Sequence, residues 1–144
     1  MRFFLLLNLF LFATSPDDEK TFLRIHWKSD LQFGVAIQGD PPLTVSPDLS
    51  AASGSASVEV RGRPHSTYQL ILPQNRISLH NLHCGCGARI GVSEFRSNPP
   101  EGMNGKLDGN GRQTVSIGAT RESISMHQPR GKYAGSFLVT AIYP

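Results

Sequence analysis

Residues 55–73, SASVEVRGRPHSTYQLILP, contain two runs in which apolar and polar side chains alternate. The apolar residues of the first run are Ala56, Val58 and Val60, and the run at 68–72 repeats the pattern. Between the two runs a glycine permits positive φ, and a proline fixes φ and removes a hydrogen-bond donor. An alternation of period two is typical of a strand with one buried face, so this segment predicts two strands joined by a turn.

The same alternation and the same turn residues continue on both sides of this segment. All fourteen glycines and all ten prolines follow residue 15, and they divide the chain into pieces too short for stable helices. Further strands are predicted at 23–27, 31–37, 43–46, 77–79, 90–95, 114–117, 123–126 and 133–143. About ten short strands separated by frequent turns are typical of a β-sandwich or barrel. The sequence therefore predicts an all-β, antiparallel sandwich.

The N-terminus has the composition of a secretory signal. Arg2 is followed by an apolar run over 3–12 and then by the small residues Ala13–Ser15. This run is about half of the ~20 residues needed to span a bilayer, and small residues precede the expected cleavage site. We therefore expect a signal helix over 1–15, which is then removed, and a single sandwich domain over 16–144. Because a proline follows the expected site, cleavage elsewhere or retention of the segment as a tether is the alternative.

Charge and hydropathy after residue 15 argue against nucleic acid as a partner and against a transmembrane segment. Thirteen basic and eleven acidic side chains remain there, a net charge of 13 − 11 = +2. The basic residues are scattered and form no run suited to a phosphate backbone, so nucleic acid is not an expected partner. No apolar stretch after the signal approaches transmembrane length. We expect a secreted protein of the periplasm or the cell surface.

The segment His80–Cys86, HNLHCGC, concentrates side chains that bind metals. His80, His83, Cys84 and Cys86 together offer two imidazoles and two thiolates for copper or zinc. Structural zinc sites usually separate paired cysteines by two to four residues, whereas one residue separates this pair. In an oxidising compartment a disulfide across this residue, which closes a small strained ring, is the competing interpretation. A disulfide between two chains and a solvated polar loop are two further interpretations.

Catalytic motifs are absent from the sequence. Its five histidines and eleven acidic residues include no nucleophile elbow and no paired-carboxylate motif. The glycine-rich run at 105–111 lacks the remaining acidic ligands of an EF-hand and is interpreted as a turn. Trp27 and Tyr68 have the apolar parity of their strands and are expected in the core. We therefore predict that the protein is not an enzyme and uses no cofactor.

Several motifs, in order along the chain, resemble one bacterial family. They are Leu31-x-Phe33-Gly34, Leu43-Thr44-Val45-Ser46-Pro47, Val58-x-Val60-x-Gly62-x-Pro64, Tyr68-x-Leu70-x-Leu72-Pro73, Phe95-x-Ser97-x-Pro99, Gly111-x-Gln113-Thr114-Val115-x-Ile117-Gly118-Ala119-Thr120 and Gly131-x-Tyr133-x-Gly135-x-Phe137-x-Val139-Thr140. The set resembles the secreted domain of unknown function family 4402. That family is similar to spore-coat-U-like and archaic chaperone–usher pilin subunits, which implies an immunoglobulin-like sandwich exposed on cells or assembled into fibres.

The chain departs from the family pattern in two places. Arg121-Glu122 follows Gly-Ala-Thr where relatives usually carry an apolar residue, which predicts a shifted register or an exposed edge there. The segment 80–86 is not part of the pattern. Two functions remain: an exported structural or adhesive surface domain without catalytic activity, and a periplasmic metal- or ligand-binding module that uses the His/Cys segment. Expected partners are other envelope or surface proteins, a second copy of the chain, or a chaperone.

Assembly of a pilin-like sandwich requires a donor strand that fills a hydrophobic groove. Leu23, Ile25 and Trp27 have the alternating apolar side chains of such a strand, whereas 16–20 is too short and too polar. One strand cannot complete its own sheet and a neighbour's sheet together. We predict that 23–27 pairs within its own sheet and leaves a monomer, with donation to a neighbouring subunit as the alternative.

Overall fold

The structure, a computed structural model, describes residues 3–5, 22–48 and 54–144. The described residues form eleven strands and no helix. The strands are β1 (Phe3–Leu5), β2 (Arg24–Ser29), β3 (Leu43–Val45), β4 (Ala56–Arg61), β5 (Thr67–Ile71), β6 (Ile77–Asn81), β7 (Arg89–Asn98), β8 (Gly102–Lys106), β9 (Arg112–Arg121), β10 (Tyr133–Gly135) and β11 (Thr140–Ile142).

The strands form two sheets. The larger sheet has eight strands in the order β1-β10-β6-β7-β9-β4-β2, with β3 also paired to β9. The smaller sheet has three strands in the order β11-β5-β8. Every described pair is antiparallel except β1 with β10, and the sheets curl into a half-barrel. The predicted all-β, antiparallel class is confirmed.

The turn between β4 and β5 carries the chain from the larger sheet to the smaller one. Gly62 donates its backbone N–H to the Gly111 carbonyl at 2.8 Å, and His65 donates to the Asp108 carbonyl at 3.1 Å. Because β4 belongs to the larger sheet and β5 to the smaller one, the two alternating runs of 55–73 lie in different sheets. Their buried apolar residues belong to one core. The core residues that are completely buried are Leu31, Ala56, Val58, Val60, Tyr68, Leu79, Val92, Val115, Ile117, Tyr133 and Val139.

Two predicted strands are absent, and two observed strands, β1 and β8, were not predicted. The segments 31–37 and 123–126 are not strands, although Leu31 and Phe33 are buried. The predicted strand 133–143 is divided into β10 and β11, which belong to different sheets. The missed strand β8 lies in a glycine-rich segment whose run from 105 was interpreted as a turn.

Arg121 is buried, so the expectation of an exposed edge there is wrong. Its side chain is 2% exposed, and β9 pairs at this position with both Leu43 and Val92. A shifted register at Arg121 is not observed either, because Arg121 pairs with Val92 in the regular part of the β7–β9 ladder; the register shifts between Ser93 and Arg96, opposite Thr120 and Gly118. Glu94, with φ of 53°, lies in this bulge.

The predicted signal segment is described only at β1. Residues 3–5 pair in parallel with β10, Phe3 opposite Tyr133 and Leu5 opposite Gly135. The rest of 1–15 lies outside the described residues, so the signal helix stays a prediction. Within the described part of the chain, no helix has the length and apolar character needed to cross a membrane.

Candidate functional site

The loop that follows β6 contains the predicted metal ligands. Asn81 holds the start of this loop, because its side-chain oxygen accepts hydrogen bonds from the backbone N–H of His83 at 2.8 Å and of Cys84 at 3.0 Å. Cys84 and Cys86 form a disulfide with each other. His80 lies on β6 opposite Arg89, and its side chain is exposed, as is that of His83.

The loop does not assemble a metal site in this disulfide-bonded form. Both sulfurs are engaged in the bond, and only a thiolate is a strong ligand for zinc or copper. Among residues 22–48 and 54–144, no group of three or more His, Cys, Asp or Glu side chains is placed to hold a metal ion. Metal binding by His80, His83, Cys84 and Cys86 therefore stays a prediction that concerns the reduced protein.

Two carboxylates with lowered pKa values lie in ion pairs: Glu59 is buried, and Glu122 is half-exposed. Hydrogen bonds from Arg61 and then Lys28 lower the pKa of Glu59, and the Lys28 Nζ lies 3.2 Å from a Glu59 carboxylate oxygen. A hydrogen bond from Arg76 lowers the pKa of Glu122, with Nη2 and Oε2 2.9 Å apart. Each carboxylate is held ionised by a neighbouring cation, which is typical of structural ion pairs rather than of a general acid.

An apolar cleft of about 640 Å³ lies next to the His/Cys loop. Val35, Ile37 and Met126 line it, although 70%, 69% and 68% of these side chains is exposed to solvent. Ala36, Gln38, His83, Arg130, Gly131 and Lys132 complete the lining. The cleft thus combines apolar side chains that have no cover with basic residues from one segment.

The wall that carries Val35 and Ile37 is fixed at the turn that follows it. Gly39, with φ of 87°, donates its N–H to the Ile124 carbonyl at 2.9 Å, and Ile124 donates to the Asp40 carbonyl at 2.9 Å. The Gln38 side chain donates to the Gln128 carbonyl at 2.7 Å. These bonds join 38–40 to 124–128 and fix this side of the cleft.

The opposite wall, 130–132, is fixed to the end of β6 and the residue that follows it. The backbone N–H of Leu82 donates to the Lys132 carbonyl at 2.8 Å, and the Asn81 amide donates to the Arg130 carbonyl at 3.1 Å. Gly131 has φ of 141°, and a Cβ there would lie 3.0 Å from the Asn81 amide nitrogen. The wall therefore requires glycine at this position, and Asn81 supports both this wall and the disulfide loop.

A second candidate surface is the edge of the larger sheet at β10. The backbone of Phe3–Leu5 covers this edge. The chain continues from Gly135 into Ser136–Leu138, which line a cleft of about 330 Å³ together with apolar residues of the 71–77 segment. The edge strand and this second cleft follow one another along the chain.

The predicted assembly strand lies at the other edge of the larger sheet. Leu23 and Ile25 are buried and Trp27 is half-buried, with its indole N–H donating to Asp30 Oδ1 at 2.8 Å. In this structure β2 pairs with β4 of the same chain, with Ile25 opposite Val60. Donation of this segment to a neighbouring subunit in an assembly stays the alternative prediction.

Sequence reasoning missed both clefts, although it identified His83. Val35 and Ile37 were assigned to a strand from the sequence. No sequence pattern predicts that these residues lie near Met126 and Arg130 in the fold. The periodicity of 35–37 carries one usable signal, since adjacent apolar residues at 35, 36 and 37 break strict alternation.

These features define a class: an all-β domain whose candidate sites are an apolar cleft and a sheet edge. Residues 23–143 match the family model described as "Domain of unknown function (DUF4402)", and the chain belongs to that family. This match confirms the resemblance stated from the motifs. The likeness to spore-coat-U-like and pilin subunits stays a prediction. Comparisons with curated proteins and with solved structures give no match.

Proposed function

We propose that this chain is an exported structural or adhesive domain of the cell envelope or surface, without catalytic activity, that receives an extended segment of a partner at β10. The partner is another surface protein, a second copy or a chaperone. The pairing of Phe3–Leu5 with β10 carries this proposal. The residues that cover the edge belong to the segment expected to be cleaved on export.

Cleavage would leave the outer backbone groups of β10 without a strand partner. Unpaired N–H and C=O groups on a strand edge are a template for an extended segment from another chain. The cleft that follows Gly135 is lined by apolar side chains, among them Phe137 and Leu138. An incoming strand that runs past Gly135 therefore gains backbone hydrogen bonds at β10 and apolar burial beyond it, the two contributions that peptide addition to a sheet requires.

The test uses the protein without residues 1–15 and a soluble peptide that carries residues 3–7, FFLLL, between lysine pairs. We expect the peptide to shift the amide resonances of Tyr133–Gly135 in ¹⁵N-labelled protein. A control peptide with the same side chains and N-methylated backbone amides lacks the donors and should bind at least tenfold more weakly. Equal binding of both peptides, or shifts confined to other strands, would contradict the proposal.

The alternative, a periplasmic ligand-binding module, is supported by the apolar cleft beside the His/Cys loop. Its metal-handling version requires reduced Cys84 and Cys86. Titration of zinc or copper(I) into the reduced protein, with both cysteines changed to serine as the control, tests that version. Metal uptake that the double variant abolishes would support it, and uptake that the serines leave unchanged would exclude the cysteines as ligands.

A further inference from the structure

We propose that the cleft between 35–38 and 130–132, which we name the basic cleft, binds a single-chain amphipathic anion such as a free fatty acid. The acyl chain lies along Val35, Ile37 and Met126, and the carboxylate lies toward Arg130. This site is separate from the β10 edge, so each proposal can fail without the other.

The apolar part of the ligand is indicated by uncovered side chains. Val35, Ile37 and Met126 are each more than two-thirds exposed, and all three line the cleft. Burial of apolar surface is favourable in proportion to its area, so a hydrocarbon chain that covers the three side chains gains affinity. Their neighbour Ala36 is 6% exposed, which places the exposed pair on a segment anchored in the core.

The charge of the head group is indicated by the rest of the lining. His83, Arg130 and Lys132 line the cleft, and none of its lining residues within 22–48 and 54–144 is acidic. Lys132 already takes part in an interaction within the protein, whereas Arg130 forms no ion pair among these residues, so Arg130 is the cation that faces the head group. The nearby carboxylate of Asp40 accepts the backbone N–H of Ile37 at 2.9 Å and interacts with the buried Arg121, so it is already satisfied by its own chain. An anionic head group meets complementary charge here, and a cationic one does not.

The size and shape of the cleft favour a small molecule over a protein surface. Its volume of about 640 Å³ lies within the range of roughly 300–1,000 Å³ typical of small-molecule sites. Both walls are fixed by hydrogen bonds from Gln38 and Asn81, so the cavity exists before the ligand arrives. A preformed site loses less entropy on binding.

The test measures binding of cis-parinaric acid, a fatty acid that fluoresces when it enters an apolar site, to the protein lacking residues 1–15. We expect palmitate to displace it and hexadecanol, which has the same chain without the charge, to compete at least tenfold less well. Vesicles of dioleoylphosphatidylglycerol test the membrane source of the same chemistry. Binding to vesicles with no uptake of free palmitate would overturn the free-ligand assignment.

Variants locate the site. Arg130→Gln should weaken palmitate binding at least fivefold and leave hexadecanol binding unchanged, whereas Val35→Ser with Ile37→Ser should weaken the binding of both. Met103→Ser and Arg24→Gln, exposed residues that line neither cleft, are the matched controls and should change neither affinity. Circular dichroism confirms that each variant is folded. Equal affinity of all variants, or preference for an acidic apolar peptide over palmitate, would overturn the proposal.

Discussion

Gly105 allows the ring of Tyr68 to pack directly against the backbone of β8. A Cβ on Gly105 would overlap Cζ of Tyr68, and the Tyr68 side chain is completely buried. The Tyr68 hydroxyl donates to Gln113 Oε1 at 2.6 Å, and burial raises the pKa of this phenol. The ring is thus fixed at both its face and its tip, and it has little freedom to accommodate a new methyl group.

Gly105→Ala should therefore lower the free energy of unfolding by about 1–3 kcal/mol, the usual cost of overpacking a close-packed core. Urea unfolding followed by fluorescence measures the change. Gly85→Ala is the matched control, because a Cβ added at Gly85 would meet no atom within 4 Å. Equal stability of the two variants would mean that Tyr68 moves away freely.

Glu122 contributes to stability in a pH-dependent way. Arg76 lowers the pKa of Glu122 from its ordinary value of 4.5. Because the folded-state pKa is below the unfolded-state pKa, the contribution is complete above about pH 4.5 and is lost as the pH falls through the lower folded value. The pair is exposed, so the effect is small.

Glu122→Gln should therefore reduce the loss of stability between pH 6 and pH 3 without changing the fold. Urea midpoints at the two pH values measure this difference. Glu94→Gln is the control, since the Glu94 carboxylate has no ion pair among the described residues. An unchanged pH dependence in Glu122→Gln would show that Arg76 does not stabilise the folded state through this carboxylate.

At the scale of elements, the strands that were predicted are those whose alternation also reflects burial. In β4 and β5 the alternating apolar residues are buried, so the sequence pattern shows directly which face of each strand is buried. β8 was missed because its glycines disfavour a strand, and it forms where Gly105 accepts the Tyr68 ring. Residues 31–37 were wrongly predicted to form a strand. Alternating buried and exposed residues require only that the segment packs on the core, whereas a strand also requires backbone pairing with a neighbouring strand.

The candidate sites were less predictable than the strands. The basic cleft combines 35–38, His83, Met126 and 130–132, which are distant in sequence and meet only through the sheet topology. Apolar residues at exposed positions have the same sequence signature as core residues. The His/Cys segment was recognisable because its chemistry is local, and its disulfide was one of the interpretations considered.

The edge strand β2 gives a prediction at the same scale. Ile25 is 7% exposed and pairs opposite Val60, so Ile25→Ala should lower the free energy of unfolding by about 2–4 kcal/mol. We expect this loss to be measurable in a monomer, by urea unfolding of a fraction isolated by size-exclusion chromatography. His26→Ala, on the exposed face of the same strand, should cost little. Multimers that Ile25→Ala abolishes, with no loss of monomer stability, would show that the strand is donated between subunits.

At the scale of the whole molecule, the core formed by the described side chains lies in the part of the chain that follows the predicted signal. Each buried apolar residue described lies between Leu23 and Ala141. β1 contributes three backbone positions at one sheet edge. We infer that the fold depends on this core, and that β1 covers an edge of the larger sheet without adding to it.

Removal of residues 1–15 should consequently leave a cooperatively folded protein. Since the lost strand pairs on one side only, we expect the midpoint of thermal unfolding to fall by no more than a few degrees, equivalent to about 1 kcal/mol. Far-ultraviolet circular dichroism should show a β-sheet spectrum without a helical component, and size-exclusion chromatography should show a monomer. Mutation of Tyr133 to serine in the truncated protein is the destabilised control, because Tyr133 is completely buried. Loss of cooperative unfolding on truncation alone would make β1 a structural strand of the domain, and β10 would then be an interior strand with no place for a partner.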